Sequence, residues 1–155
     1  MLELQPIEFF LRAIPEGFLF MFAIYVFSKV KINKRKYIIS SIVYSISIFM
    51  IRRLPINYGV HTILAIVALL FLSIILNKID VIKVIRSTIL AFLLQFISET
   101  INLLLIQNIP NIDINKIFTD VTLKSLFGLP SLALSWVVLI LIYRYYKGKG
   151  ELINE

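Results

Sequence analysis

The chain has 155 residues, 59% hydrophobic and 16% charged, with a formal net charge of +7 and a mean hydropathy of +0.92. A soluble domain carries about 25% charged and roughly 45–50% apolar residues, and at ~150 residues it still leaves roughly 30% of its chain surface in water, so a water-soluble globular enzyme is excluded. The absence of cysteine and the single histidine, His61, exclude a disulfide framework, a thiolate or multi-histidine metal site and a cysteine nucleophile.

This composition predicts an all-α fold, a polytopic integral membrane helix bundle forming one transmembrane domain over 1–155. A spanning helix needs ~20 mainly apolar residues, and about five segments qualify. The first, 9–28, is the least apolar because it holds Arg12, Pro15 and Glu16. The second, 37–54, ends in Arg52 and Arg53, and the third, 60–76, has no charge. The fourth, 87–106, contains Gln95, Glu99 and Asn102, and the fifth, 126–145, carries Trp136 and runs into Tyr143, Arg144, Tyr145, Tyr146 and Lys147. The connection 107–125 has room for a short interfacial helix. The first residues lack the basic stretch and small-residue cleavage site of a signal peptide, so the N-terminus is expected to be retained.

Lysine and arginine in short loops orient such a bundle. Lys29, Lys31, Lys34, Arg35, Lys36, Lys78, Lys83, Arg86, Arg144, Lys147 and Lys149 put eleven cations on one side; Arg12, Arg52, Arg53, Lys116 and Lys124 put five on the other, accounting for all 16. The bias predicts an outer N-terminus and a cytoplasmic C-terminus. It also reads the net positive charge as a match to lipid headgroups, with no nucleic acid partner.

Ionisable groups in a spanning helix cost roughly 2.5–3.5 kcal/mol each at its centre, so they face the bundle interior and one another. In this orientation Glu16, Arg52, Arg53 and His61 lie in the outer half, and Glu99 is about 10 Å below the outer surface by helix rise. Gln95, Glu99 and Asn102 share a helix face through spacings of four and three. These seven residues are the candidate ligand-binding set, an outward-facing polar pocket for a small or zwitterionic ligand or an inserted peptide. The competing expectation is that Glu99 pairs with an arginine of a neighbouring helix and fixes packing. Glu8, Arg12 and Glu16 form either a charge ladder or the polar face of an interfacial helix that Pro15 redirects. Arg52 and Arg53 suit either an anion or lipid headgroups; His61 suits pH sensing or simple hydrogen bonding. Ser41 and Ser45, and Ser131 and Ser135, have the small-xxx-small spacing of close helix contacts. No nucleophile elbow, phosphate loop or paired His-Glu motif is present, so an enzyme, a cofactor and a metal site are not expected.

The run Ile51-Arg-Arg-Leu-Pro-Ile-Asn-Tyr-Gly-Val-His-Thr62, a charge-free helix, and then Phe96-Ile-Ser-Glu-Thr-Ile-Asn102 resemble the multi-helix N-terminal membrane sensor module of Gram-positive Agr-type histidine kinases. The likeness covers most of the chain in texture, without a diagnostic motif. It implies detection of an extracellular peptide. The sequence holds no dimerisation helix, phosphoacceptor histidine or ATP-binding domain after the fifth helix, which departs from that family and implies action through a partner. The expected function is a ligand-binding or sensor/accessory module working with a kinase or response protein. The alternatives are a small substrate-binding subunit beside a transport ATPase module, and a homo-oligomeric assembly protein.

Overall fold

The computed structural model describes residues 9–108 and 121–154. A π-helical turn, Phe9–Ala13, runs into α1 (Ile14–Phe27); α2 (Lys34–Arg52), α3 (Tyr58–Ile75), α4 (Val81–Gln107) and α5 (Val121–Lys149) follow. There is no strand among the described residues, only an isolated parallel bridge between Val30 and Ile153. Glu8 and most of the 107–125 connection, with its expected interfacial helix, lie outside the described residues. Among the described residues three stretches are long and apolar enough to cross a membrane: Phe10–Phe27, Val81–Gln107 and Leu126–Lys149. Gly59–Ile75 is apolar but shorter, and α2 opens on Lys34, Arg35 and Lys36, which dilute its apolar run.

Caps set several boundaries. Asn33 Oδ1 accepts from the Lys36 amide at 3.3 Å, starting α2 ahead of Tyr37. Asp80 Oδ1 accepts from the amides of Ile82 and Lys83 at 3.0 and 3.3 Å, so α4 starts at Val81 rather than near Ser87. Each cap satisfies an otherwise orphaned donor of the first turn. Lys83 and Arg86, expected in a loop, are therefore helical.

Successive helices alternate in direction, and α1 is the axis. Leu19 to Val26 are buried without a break, the signature of a helix enclosed on all sides, and α2, α3, α4 and α5 all pack on it. The outer helices reverse the usual soluble pattern. Ser40, Ser41 and Ser45 of α2, and Ser87, Thr88, Gln95, Ser98 and Asn102 of α4, are buried, while Ile38, Ile42, Ile46, Ile85, Ile89, Leu93 and Phe96 are exposed. In water this apolar surface would far exceed the few hundred Å² a monomer tolerates; small polar residues at helix contacts with apolar residues outside fit a helical membrane bundle. The contact of α1 with α2 is very close: a Cβ on Gly17 would run into the Ser45 hydroxyl and stand 3.1 Å from the Ser45 Cα.

At the Lys29 end, α1 stops in a Schellman turn, in which the Lys29 amide donates to Val26 O and the Val30 amide to Tyr25 O, both at 3.1 Å. Lys29 has φ 56°, a left-handed conformation costing a non-glycine residue about 1–2 kcal/mol. Local contacts offset that cost. Lys29 Nζ donates to Glu151 Oε2 at 2.5 Å and lies 4.6 Å from the centre of the Tyr146 ring. The backbone joins in, with Lys31 N donating to Ile153 O at 2.9 Å and Ile153 N to Lys29 O at 2.8 Å. α5 ends in a second Schellman turn at Gly150, φ 70°, which turns the tail back onto the α1–α2 loop. The hydrogen bond from Lys29, with its charge, holds the Glu151 carboxyl below 4.5, and the same bond raises Lys29 above 10.5.

The depressed carboxylate stabilises the clip fully above 4.5 and loses its effect as pH falls through the lowered value; the raised ammonium acts fully below 10.5 and fades above it. A spin label on a cysteine introduced at Asn154 should be immobile between these limits and gain mobility outside them. Glu151→Gln should show the mobile spectrum throughout. An immobile label in that variant would mean the two backbone hydrogen bonds hold the tail unaided.

Candidate functional site

The cluster forms where α1 begins and α2 and α4 end. Pro15 lacks an amide hydrogen, and its ring crowds the carbonyl four residues back; the preceding turn widens to the π-helical Phe9–Ala13 that carries Arg12. Arg12 and Glu16 are one turn apart, with Arg12 Nε 3.9 Å from Glu16 Oε2. Across the bundle, Arg52 Nη2 donates to Glu16 Oε1 at 2.8 Å and to Oε2 at 2.7 Å. Arg12 reaches the other way: its Nη2 lies 3.6 Å from Glu99 Oε1 on α4. Its guanidinium rests against Gly128 of α5, where an added Cβ would stand 3.6 Å from Nη1.

Neutral groups extend the chain inward. Gln95 Nε2 donates to Glu99 Oε1 at 3.1 Å, and Ser135 Oγ donates to Gln95 Oε1 at 3.0 Å. The same Ser135 hydroxyl also faces Ser98 Oγ at 2.8 Å as donor, so its one proton is shared between the two acceptors. Pro130 removes a ladder bond early in α5, and nearby carbonyls turn to side chains: Phe127 O accepts from Asn102 Nδ2 at 2.6 Å, Gly128 O from Ser131 Oγ at 2.7 Å. A continuous polar line thus runs from Arg52 through Glu16, Arg12, Glu99 and Gln95 to Ser135 and Ser98, touching α1, α2, α4 and α5. Two arginines balance two glutamates, which avoids the cost of an uncompensated charge taken from water.

No family model, curated protein or solved structure matches the chain.

Of the seven candidate residues, Glu16, Arg52, Gln95 and Glu99 meet in this line. Asn102 lies on the same face of α4 and ties it to the start of α5. Arg53 is exposed, its guanidinium 4.7 Å from the centre of the Phe49 ring, because adjacent helix positions point about 100° apart. His61 is half-buried in the first turn of α3. Arg12 is the central member and was not among the candidates; its spacing of four from Glu16 was the available signal. Ser98 carries no such signal, being neutral and short, while the spacing of Ser135 from Ser131 marks it only as a close helix contact. Among the described residues no three His, Cys, Asp or Glu side chains come together as metal ligands. Two surface depressions, of about 340 Å³ on α4 and about 240 Å³ between α1 and α2, are lined without any side chain of the cluster.

Proposed function

We propose that the chain is a five-span membrane module, N-terminus outside and C-terminus in the cytoplasm, that binds an extracellular ligand where Glu99 meets Arg12 and acts through a protein partner. One contrast carries this reading. The Glu16 side chain is 15% exposed and held by two short bonds, whereas that of Glu99 is 45% exposed and faces Arg12 across 3.6 Å. A cationic group of a ligand takes Arg12's place on Glu99. Arg12 then closes on Glu16, moving the π-helical turn; such turns are frequent at functional sites. The lysine and arginine bias supports the orientation, and the likeness to peptide-sensing membrane modules agrees with the signalling role.

The test uses ethylguanidinium as a probe added outside proteoliposomes, read by the emission of Trp136, which adjoins Ser135 and stacks on Phe22 with centroids 5.3 Å apart. Saturable change is expected, lost in Glu99→Gln and retained in Glu99→Asp. In the same cysteine-free chain, a cysteine at Asn154 should resist impermeant maleimide in intact cells. Equal responses in Glu99→Gln and the unaltered chain would reject the site; labelling at 154 would reject the orientation. Probe accumulation inside the vesicles would favour a transport subunit.

A further inference from the structure

At the Lys29 end, α4 turns Ile82, Ile85, Ile89 and Leu90 around Arg86 in the depression of about 340 Å³. Spacings of three and four place them on one face, and Ile82, Ile85, Arg86 and Ile89 are exposed. Among the described residues Arg86 has no carboxylate partner. Asp80 caps the same helix through the amides of Ile82 and Lys83, and Glu151 is bound to Lys29. Arg86 is also close enough to Lys29 to oppose its charge. Lys29 holds Glu151, and Arg86 is left as positive charge beside an aliphatic surface.

A guanidinium binds phosphate oxygens through paired N–H donors, and an aliphatic groove next to it fits a hydrocarbon chain. We propose that this face of α4 is a binding site for an anionic phospholipid, with the headgroup phosphate on Arg86 and an acyl chain along Ile85, Ile89 and Leu90. The proposal rests on α4 crossing the bilayer, and is independent of the ligand at Glu99.

The test places the only tryptophan one turn beyond the groove (Trp136→Phe with Leu93→Trp), leaving the lining intact. The protein is reconstituted in bilayers containing brominated phosphatidylglycerol or brominated phosphatidylcholine, and quenching gives their relative binding. One basic residue near an anionic headgroup favours it by about fivefold, so phosphatidylglycerol should bind about fivefold more tightly, less so at high salt. Arg86→Gln should bring the ratio to about one, and Arg86→Lys should keep most of it. An unchanged ratio in Arg86→Gln, or no selectivity in the unaltered face, overturns the site. Quenching by neither lipid overturns the membrane crossing itself. Energy transfer between labelled copies that is lost in Arg86→Gln, without lipid selectivity, assigns the face to a second copy and overturns the lipid.

Discussion

Arg52→Ala is expected to destabilise the bundle by roughly 2–4 kcal/mol, toward the lower part of the range for breaking a buried ion pair, because the Arg52 side chain keeps 30% of its surface exposed. The cost comes mainly from what stays behind. Glu16 would remain in its closed setting without the two bonds at 2.7 and 2.8 Å, and Arg12, shared with Glu99, stands 3.9 Å away. Arg52→Lys supplies the charge with a single donor head, and should lose about 1 kcal/mol, the value of a lost charge-assisted bond rather than of a stranded ion. Glu16→Gln combined with Arg52→Gln removes both charges and should recover much of the loss, because no bare ion remains. Unfolding in sodium dodecyl sulfate, followed by helical circular dichroism, gives the four stabilities. If Arg52→Ala matches the unaltered chain, the pair is ornamental and the proposed junction loses its fixed side, since Arg12 would have no anchored Glu16 to close on.

The sequence was legible where a residue's chemistry has one cheap solution. Long apolar runs could only be helices, and Glu16, Arg52 and Glu99 could not face lipid, but apolar length alone does not show that the caps Asn33 and Asp80 start α2 and α4 ahead of those runs. The inward faces were harder to read. Lipid tails are as apolar as a leucine core, so α1, apolar all round, carries no pattern that places it in the centre. The signal that does exist is inverted: in α2, buried Ser40, Ser41, Tyr44, Ser45 and Ile48 alternate with exposed Ile38, Ile42, Ile46 and Met50 at helical spacing, so small polar residues mark the packed face. Arg52 and Arg53 are equivalent on paper, and only the packing of α2 against α1 turns one inward. At the other end, Tyr25 donates to Asn77 Oδ1 at 3.0 Å and the hydroxyls of Ser28 and Ser87 meet at 2.8 Å. These contacts join residues more than fifty positions apart, and no local spacing announces them.

The close approach at Gly17 yields the second large effect. Gly17→Ala adds one methyl group that meets the Ser45 hydroxyl and lies 3.1 Å from the Ser45 Cα. The hydroxyl can rotate, although it would give up its 2.8 Å bond to Ser41 O; the Cα cannot, so the helices must separate. Separation would strain the Tyr37 hydroxyl bond to Phe18 O at 3.0 Å, the edge-on contact of Phe20 with Tyr44, and the Arg52–Glu16 pair one residue before Gly17. Overpacking of this kind costs about 1–3 kcal/mol, against which alanine's better helix propensity returns about 1 kcal/mol. A net loss of up to about 2 kcal/mol is therefore expected for Gly17→Ala, and a larger one for Gly17→Leu, whose branched side chain has no space at all. Ser45→Gly removes the hydroxyl and Cβ but not the Cα and carries its own helix-propensity cost, so the alanine loss should shrink in part when measured on the Ser45→Gly background. Stabilities of the two single variants and the double variant measure the coupling directly. Additive losses would mean that α1 and α2 do not meet through this pair; a coupling near 1 kcal/mol would tie the position of Glu16 to the seam that holds it opposite Arg52.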